Sequence, residues 1–296
     1  IARAIADTAR RAVKPIVAVV MTNENWAGTV EIIKGAGIPV FDFPETGARV
    51  LAAMTRCSEL RRRLVEVPAL VEGDRQKARQ ILQQERNGFI SQAAAFELLQ
   101  AYRMPIARVA LIEDPELPRG MKYPVVLKVD SPEVVHKSAV GAVKLNIARK
   151  SALEKAFVEL SKSFPGAKLI IQEQCPAALE IIIGFKQEKG VGPVVMFGMG
   201  GVNVEIFKDV SFRLAPISHG DAERMVREIR SFALLNEMRS NTPADLEAIK
   251  QLLISVSQLA VDFPEIQEMD LNPVLVYPQG QGARVVDVRI KLAQPV

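Results

Sequence analysis

The sequence predicts two regions of different class: a partial parallel α/β segment, then a longer α+β body. Three observations carry this. Residues 14–62 alternate short apolar, β-rich runs with helical periods. Residues 62–87 are rich in charge and interrupted at Pro68 and Gly73. Beyond residue 88, strands and helices mix without strict alternation. Alternation is the pattern of a helix-flanked parallel sheet, and its loss argues for α+β. The expected division is 1–65, a connection over 66–87, and 88–296.

In the first region the opening "IARAIADTARRAV" reads as an amphipathic helix and "KPIVAVV" as a strand. "GTVEIIKGAGIPVF" reads as a helix ending at Gly35–Gly37 and then a buried strand. "PETGARVLAAMTRCSELRRR" reads as a helix with Pro44 at its start, where a missing N–H costs nothing. This is about half of a doubly wound domain. Together with the start at Ile1, it leads us to expect a piece of something larger.

In the second region "SQAAAFELLQAY" is a helix that Ser91 can cap. "IARVALIED" and "YPVVLKVD" read as strands. "SALEKAFVELSKSF" reads as a helix capped by Ser151, with Glu154 completing a capping box. "KLIIQEQ", "ALEIIIGFKQ" and "GPVVMFG" read as strands, and "SHGDAERMVREIR" as a helix capped by Ser218. "ADLEAIKQLLISVSQLAVDF" is a long amphipathic helix, followed by strands over "EMDLNPVLVYP" and "ARVVDVRI".

Composition narrows the function. The 296 residues are 49% hydrophobic and 24% charged, with a net charge of +4 and no basic tract. Nucleic acid is not the expected partner. The uncharged stretch Val191 to Val204 is shorter than the ~20 residues that cross a bilayer. Cys57 and Cys175 lie far apart and flank no histidine, which fits reduced thiols and a cytoplasmic protein.

A few residues could carry chemistry. Lys128 sits inside the apolar strand "VVLKVD". It lies either on a solvent face or opposite the phosphates of a nucleotide, because an unpaired buried ammonium is costly. Gln172 and Glu173 end one apolar strand and Glu180 begins the next. They are solvated strand ends or the polar groups of an adenosine pocket. Gly198, Gly200 and Gly201 in "MFGMGG" are a turn between strands or a backbone cradle for phosphate. Asp270 and Asn272 stand two apart on a strand, and Asp287 is the acid of the last one. If those strands pair, Asn272 and Asp287 meet across the ladder as hard oxygen ligands suited to magnesium. His136 is one of two histidines, in "VVHKSAVGAV". A neutral imidazole is a nucleophile, so His136 is either an inert loop residue or a carrier of a phosphoryl group. His219, in the first turn of a helix, has no assigned role.

Taken in order, "LKVDSPEVVHKSAVGAV", "IIQEQCPAALEIIIGFKQE", "GPVVMFGMGGVNVEIFKDVSFRLAP" and "PEIQEMDLNPVLV" resemble the ATP-grasp part of ADP-forming acyl-CoA synthetases. The resemblance covers about residues 88–296. Residues 1–60 resemble the end of that family's flavodoxin-like ligase domain. It implies two α+β subdomains with a nucleotide between them. It also implies ATP or ADP with Mg2+, and the reversible conversion of acyl-CoA, ADP and phosphate to acid, CoA and ATP. By the same resemblance His136 relays phosphate and Lys128 meets the nucleotide phosphates. Glu173 and Glu180 match the adenine and ribose region. Asn272 and Asp287 match the magnesium ligands, with Asp270 beside the phosphohistidine. The CoA-binding and ligase domains are expected elsewhere in the parent chain or in a partner subunit, and an oligomer is expected. The chain departs from the pattern at Arg103, where relatives carry glycine, at Ala139, and around Arg239. The second reading is a metabolite-sensing, synthetase-like region of a protein lysine acetyltransferase, without phosphoryl transfer.

Overall fold

The computed structural model describes residues 1–21, 26–62, 66–85, 88–132, 134, 140–201, 209–236 and 242–293. They form two compact units, Ile1–Val65 and Glu66–Val296.

The first unit runs Ala2–Arg11 (α1), Ala18–Val19 (β1), Ala27–Gly35 (α2), Val40–Phe41 (β2) and Pro44–Arg62 (α3). β1 and β2 pair in parallel, Ala18 with Val40 and Val19 with Phe41. The helix–strand alternation thus produces the expected sheet direction. Its core is small: Ala2, Ile33 and Ile38 are buried together.

The second unit holds Arg75–Gln84 (α4), Gly88–Phe89 (β3), Gln92–Ala101 (α5), Val109–Ile112 (β4), Val125–Asp130 (β5), Val143–Ile147 (β6) and Lys150–Ser163 (α6). It continues with Lys168–Glu173 (β7), Leu179–Glu188 (β8), Gly192–Met199 (β9), Val210–Leu214 (β10), His219–Glu228 (α7), Phe232–Asn236 (α8) and Leu246–Asp262 (α9). It closes with Ile266–Val276 (β11), Ala283–Val285 (β12) and Val288–Leu292 (β13). Among the described residues there are two antiparallel sheets. One has four strands in the order β4-β7-β5-β6. The other has seven, in the order β10-β9-β8-β11-β13-β3, with β12 also on β11. α9 lies against the larger sheet and buries Ile249, Leu252, Leu253, Val256 and Leu259. α5 adds Phe96, Leu98 and Leu99 to the same core. Among the described residues no helix is long and apolar enough to cross a membrane.

Several expectations change. Part of the stretch read as a connection, residues 66–85, is packed into the second unit. Ala78, Ile81 and Leu82 of α4 are buried, and Glu66 accepts from the Ser218 hydroxyl at 2.7 Å and from Arg224 at 2.9 Å. Ser151 does not cap α6. The helix starts two residues earlier than that cap requires, at Lys150 with an extended Arg149 as N-cap, and no side chain caps it. Ser91 and Ser218 do cap, and Ser218 forms a reciprocal box with Asp221. "ARVVDVRI" is not one strand, because the ladder breaks at Val286–Asp287 between β12 and β13. β6 (VKLNI) and β10 (VSFRL) are strands not expected above, although both alternate apolar and polar residues over five positions; they pair with β5 and β9.

Arg103, just past the C-terminus of α5, has φ of 55° and donates its N–H to Gln100 O at 2.9 Å. This is the left-handed helix stop that glycine adopts without strain. Arg103→Gly is therefore expected to raise stability by about 0.5–1 kcal/mol. Urea unfolding of the two proteins checks it, and a lower midpoint for the variant refutes it.

Candidate functional site

The two faces of the four-stranded sheet differ. Val125, Leu127 and Val129 of β5 pack with Leu169 and Ile171 of β7 beneath α6. Side chains of the opposite parity point the other way. These are Val126, Lys128, Asp130, Ile170 and Gln172, and they too are buried. A buried polar row needs partners. They come from the break between β12 and β13 and from the start of α5. Lys128 Nζ donates to Val286 O at 2.7 Å and lies 3.4 Å from Asp287 Oδ1. Gln172 Nε2 donates to Val286 O at 3.1 Å. Asp130 accepts the N–H of Gln92 at 2.6 Å and of Ala93 at 3.3 Å. Lys128 is thus not on a solvent face, being 7% exposed. Burial pushes its ammonium below the ordinary lysine range, against the pull of the Asp287 carboxylate.

Asn272 and Asp287 do meet: the Asn272 N–H donates to Asp287 O at 3.2 Å. β11 shifts register between Leu271 and Val274, so Asn272 sits at a bulge with its side chain exposed. The Asp287 carboxylate is held through one oxygen. Gln92 Nε2 and Lys128 Nζ both reach Oδ1, and no donor among the described residues reaches Oδ2. Asp270 pairs in the ladder with Gly184 on one side and Arg289 on the other. Gly184 is required there, since a Cβ would come 2.4 Å from Met269 O. Asp270 Oδ1 is buried without a partner among the described residues. Desolvation raises the Asp270 carboxyl to about 6, with Arg289 opposing and Glu268 and Asp287 adding.

Among the described residues no three His, Cys, Asp or Glu side chains stand close enough to hold an ion alone. Asp270 and Asn272 on β11, and Asp287 at the β12–β13 break, instead offer carboxylate and amide oxygens. That donor set fits Mg2+, which takes one or two carboxylates and completes its shell with phosphate and water oxygens.

A second group gathers at the ends of β8 and β9. Glu180 is exposed, and its C=O accepts the Gly200 N–H at 2.7 Å. A Cβ on Gly200 would lie 2.8 Å from the Glu180 carbonyl carbon, so glycine is what lets the strands close here. Gly201 faces the Glu180 carboxylate, while Gly198 is buried against Val210. These glycines therefore have a packing role of their own. Glu173 is exposed at the end of β7, and its N–H donates to Arg108 O at 2.9 Å. Among the described residues no hydrogen bond joins this group to Lys128 and Asp287. Five residues, 174–178, carry the chain from β7 to β8 and so from one sheet to the other.

His136 lies outside the described residues, as do Ala139 and Arg239. A cleft is lined by Ser131, Pro132, Val134, Gln92, Asp287 and Arg289. Gln92, Asp130, Val286 and Arg289 were not singled out from the sequence. Asp130 alone left a trace, as an acid ending an apolar strand.

A carboxyl whose pKa rises on folding favours the folded chain only while protonated. That contribution is full below the ordinary carboxylate range and is lost as pH climbs through about 6. Asp270→Asn removes the titration. Without divalent cations the variant is expected to exceed the parent in stability at about pH 8 by on the order of 2–3 kcal/mol, and to match it near pH 4. Equal stabilities at both pH values, read from chemical unfolding with a chelator present, would refute the assignment.

Comparison with known proteins agrees with this geometry. The model of a family described as ATP-grasp domain matches residues 80–292. The ADP-forming acetate–CoA ligase I of Archaeoglobus fulgidus is 39% identical over 290 residues, covering 93% of this chain and 42% of that protein. This chain thus spans less than half the length of that relative. The ADP-forming acetate–CoA ligase I subunit beta of Pyrococcus furiosus is 37% identical over 229 residues, 73% of this chain and 98% of the subunit. Among solved structures, acetyl-coenzyme A synthetase 1 of Ca. Korarchaeum cryptofilum, in complex with coenzyme A and Ca-AMPCP, shares 40% identity. Its TM-score is 0.68, and it covers 74% of this chain and 100% of its own. This chain is accordingly a member of the ATP-grasp domain family, in the branch that includes the β subunits of ADP-forming acetate–CoA ligases.

Proposed function

We propose that the chain is the nucleotide-binding and phosphoryl-transfer portion of an ADP-forming acyl-CoA synthetase. The whole enzyme would convert acyl-CoA, ADP and phosphate to acid, CoA and ATP. The observation that carries this reading is the Lys128 ammonium, buried between two sheets and held against Val286 O and Asp287. A fold keeps a buried cation at such cost where an anion must be met. The family membership supports the nucleotide as that anion.

In this reading Lys128 draws the phosphate oxygens toward the sheet. Asp287 and Asn272, with Asp270 alongside, hold magnesium, which when bound offsets phosphate charge. Glu173 and Glu180 bracket the base and ribose, and the main chain at Gly198, Gly200 and Gly201 lines the phosphate side. The His136 imidazole attacks the γ-phosphorus of ATP. The N–P bond forms as the bond to the β–γ bridging oxygen breaks, ADP leaves, and the imidazole gives up its ring proton. The synthetic direction runs in reverse. The relatives named above are ligases, which favours this over a metabolite-sensing module. One is a long single chain and one a separate β subunit. The CoA-binding and ligase domains thus belong either to the same parent chain or to a partner subunit. We also propose a cytoplasmic, oligomeric enzyme.

Incubation with Mg2+ and ATP radiolabelled on the γ-phosphate is expected to leave an acid-labile label on the protein. His136→Ala should carry none. A label that survives this substitution, or no label on the parent, overturns the relay. The substitution Lys128→Met leaves the Asp287 carboxylate without its cation and is expected to lower stability, so labelling is compared at a temperature where circular dichroism shows both proteins folded. It should cut the labelling rate by about a hundredfold or more. An unchanged rate refutes the role of Lys128.

A further inference from the structure

We propose that Gln92 is a positioning residue that sets the orientation of the Asp287 carboxylate, so that Oδ2 is presented to the divalent cation. This rests on the reading of Asp287 as a metal ligand given above.

Gln92 is 4% exposed, at the first turn of α5. Its own position is fixed from both sides. Asp130 holds the N–H groups of Gln92 and Ala93, and Ser91 accepts the Ala94 N–H at 3.3 Å. From this anchored turn Nε2 donates to Asp287 Oδ1. Lys128 approaches the same oxygen, so both protein donors act on one side of the carboxylate. The amide can point only one way, because turning it over would set two oxygens against each other.

The other end of the amide is what separates positioning from packing. Gln92 Oε1 is buried and has no partner among the described residues. An orphaned buried acceptor is destabilising, so Gln92 is held in this orientation at a cost. Only the end facing Asp287 is satisfied here. Gln92 also lines the cleft shared by Asp287, Ser131 and Val134. Through Asp130 it ties the carboxylate to the end of β5, from which the chain runs on to His136.

The test is binding, not turnover. Affinity for a non-hydrolysable ATP analogue is measured by calorimetry on the parent and on Gln92→Met, with Mn2+ and with a chelator. Methionine keeps the volume and removes the donor. Losing one hydrogen bond to a charged group is expected to weaken Mn2+-dependent binding by about tenfold or more, with metal-free binding unchanged. Gln92→Asn, whose amide stops one methylene short of Asp287, is expected to show the same selective loss. It also serves if the methionine variant does not fold. Equal loss with and without Mn2+ means a purely structural residue and overturns the proposal, as does parental behaviour in both variants. If the parent itself shows no Mn2+-dependent binding, it is the metal-site reading that fails.

Discussion

One buried charge organises the second unit. Lys128 belongs to the four-stranded sheet by sequence and to the seven-stranded sheet by its contacts, Val286 O and Asp287. An ammonium in that position is unfavourable without close oxygen partners. The β12–β13 break therefore has to stay where it is for the small sheet to keep its polar face covered. The geometry of a nucleotide site and the attachment of the two sheets are then the same requirement. Asp130 and Gln172 repeat the arrangement beside it, each buried and each bonded to main chain.

Asp287 shows how such a site can be rigid and still open. Its Oδ1 is taken by Gln92 and Lys128, which fixes the torsion of the side chain. Its Oδ2 meets no donor among the described residues. Asp270, two strand positions from Asn272, is held differently. It is flanked by a glycine and an arginine, with one oxygen buried and without a partner among the described residues. One acid is oriented by hydrogen bonds, the other made harder to ionise by desolvation. Neighbouring carboxyls acquire distinct properties this way.

Much of this was legible in the sequence, in uneven measure. Short continuous apolar runs marked β5, β7, β8 and β9, and the apolar stripe marked α9, because burial on both faces of a strand or one face of a helix imposes those patterns directly. Asn272 and Asp287 were expected opposite each other in a ladder; they meet through main chain alone, at a bulge facing the β12–β13 break. What stayed hidden depends on partners far along the chain. Gln92 reads as an ordinary first-turn residue until Asp287, 195 positions later, is placed beside it. Arg289 reads as a strand residue until the cleft is seen. The Ser151 cap failed for a local reason, as a helix that begins two residues early turns Ser151 from its cap into its second residue. The three glycines matched a phosphate loop in type, but their spacing also serves strand packing against Glu180 and Val210. Sequence alone has no means of separating the two.

The interruption at Val286 has a last consequence. Its carbonyl, released from the ladder, receives Lys128 and Gln172 together. The receiving atom is common to all twenty amino acids. Position 286 is thus free to drift in side-chain identity without disturbing what it accepts. The specificity of that junction is stored entirely in the groups that approach it.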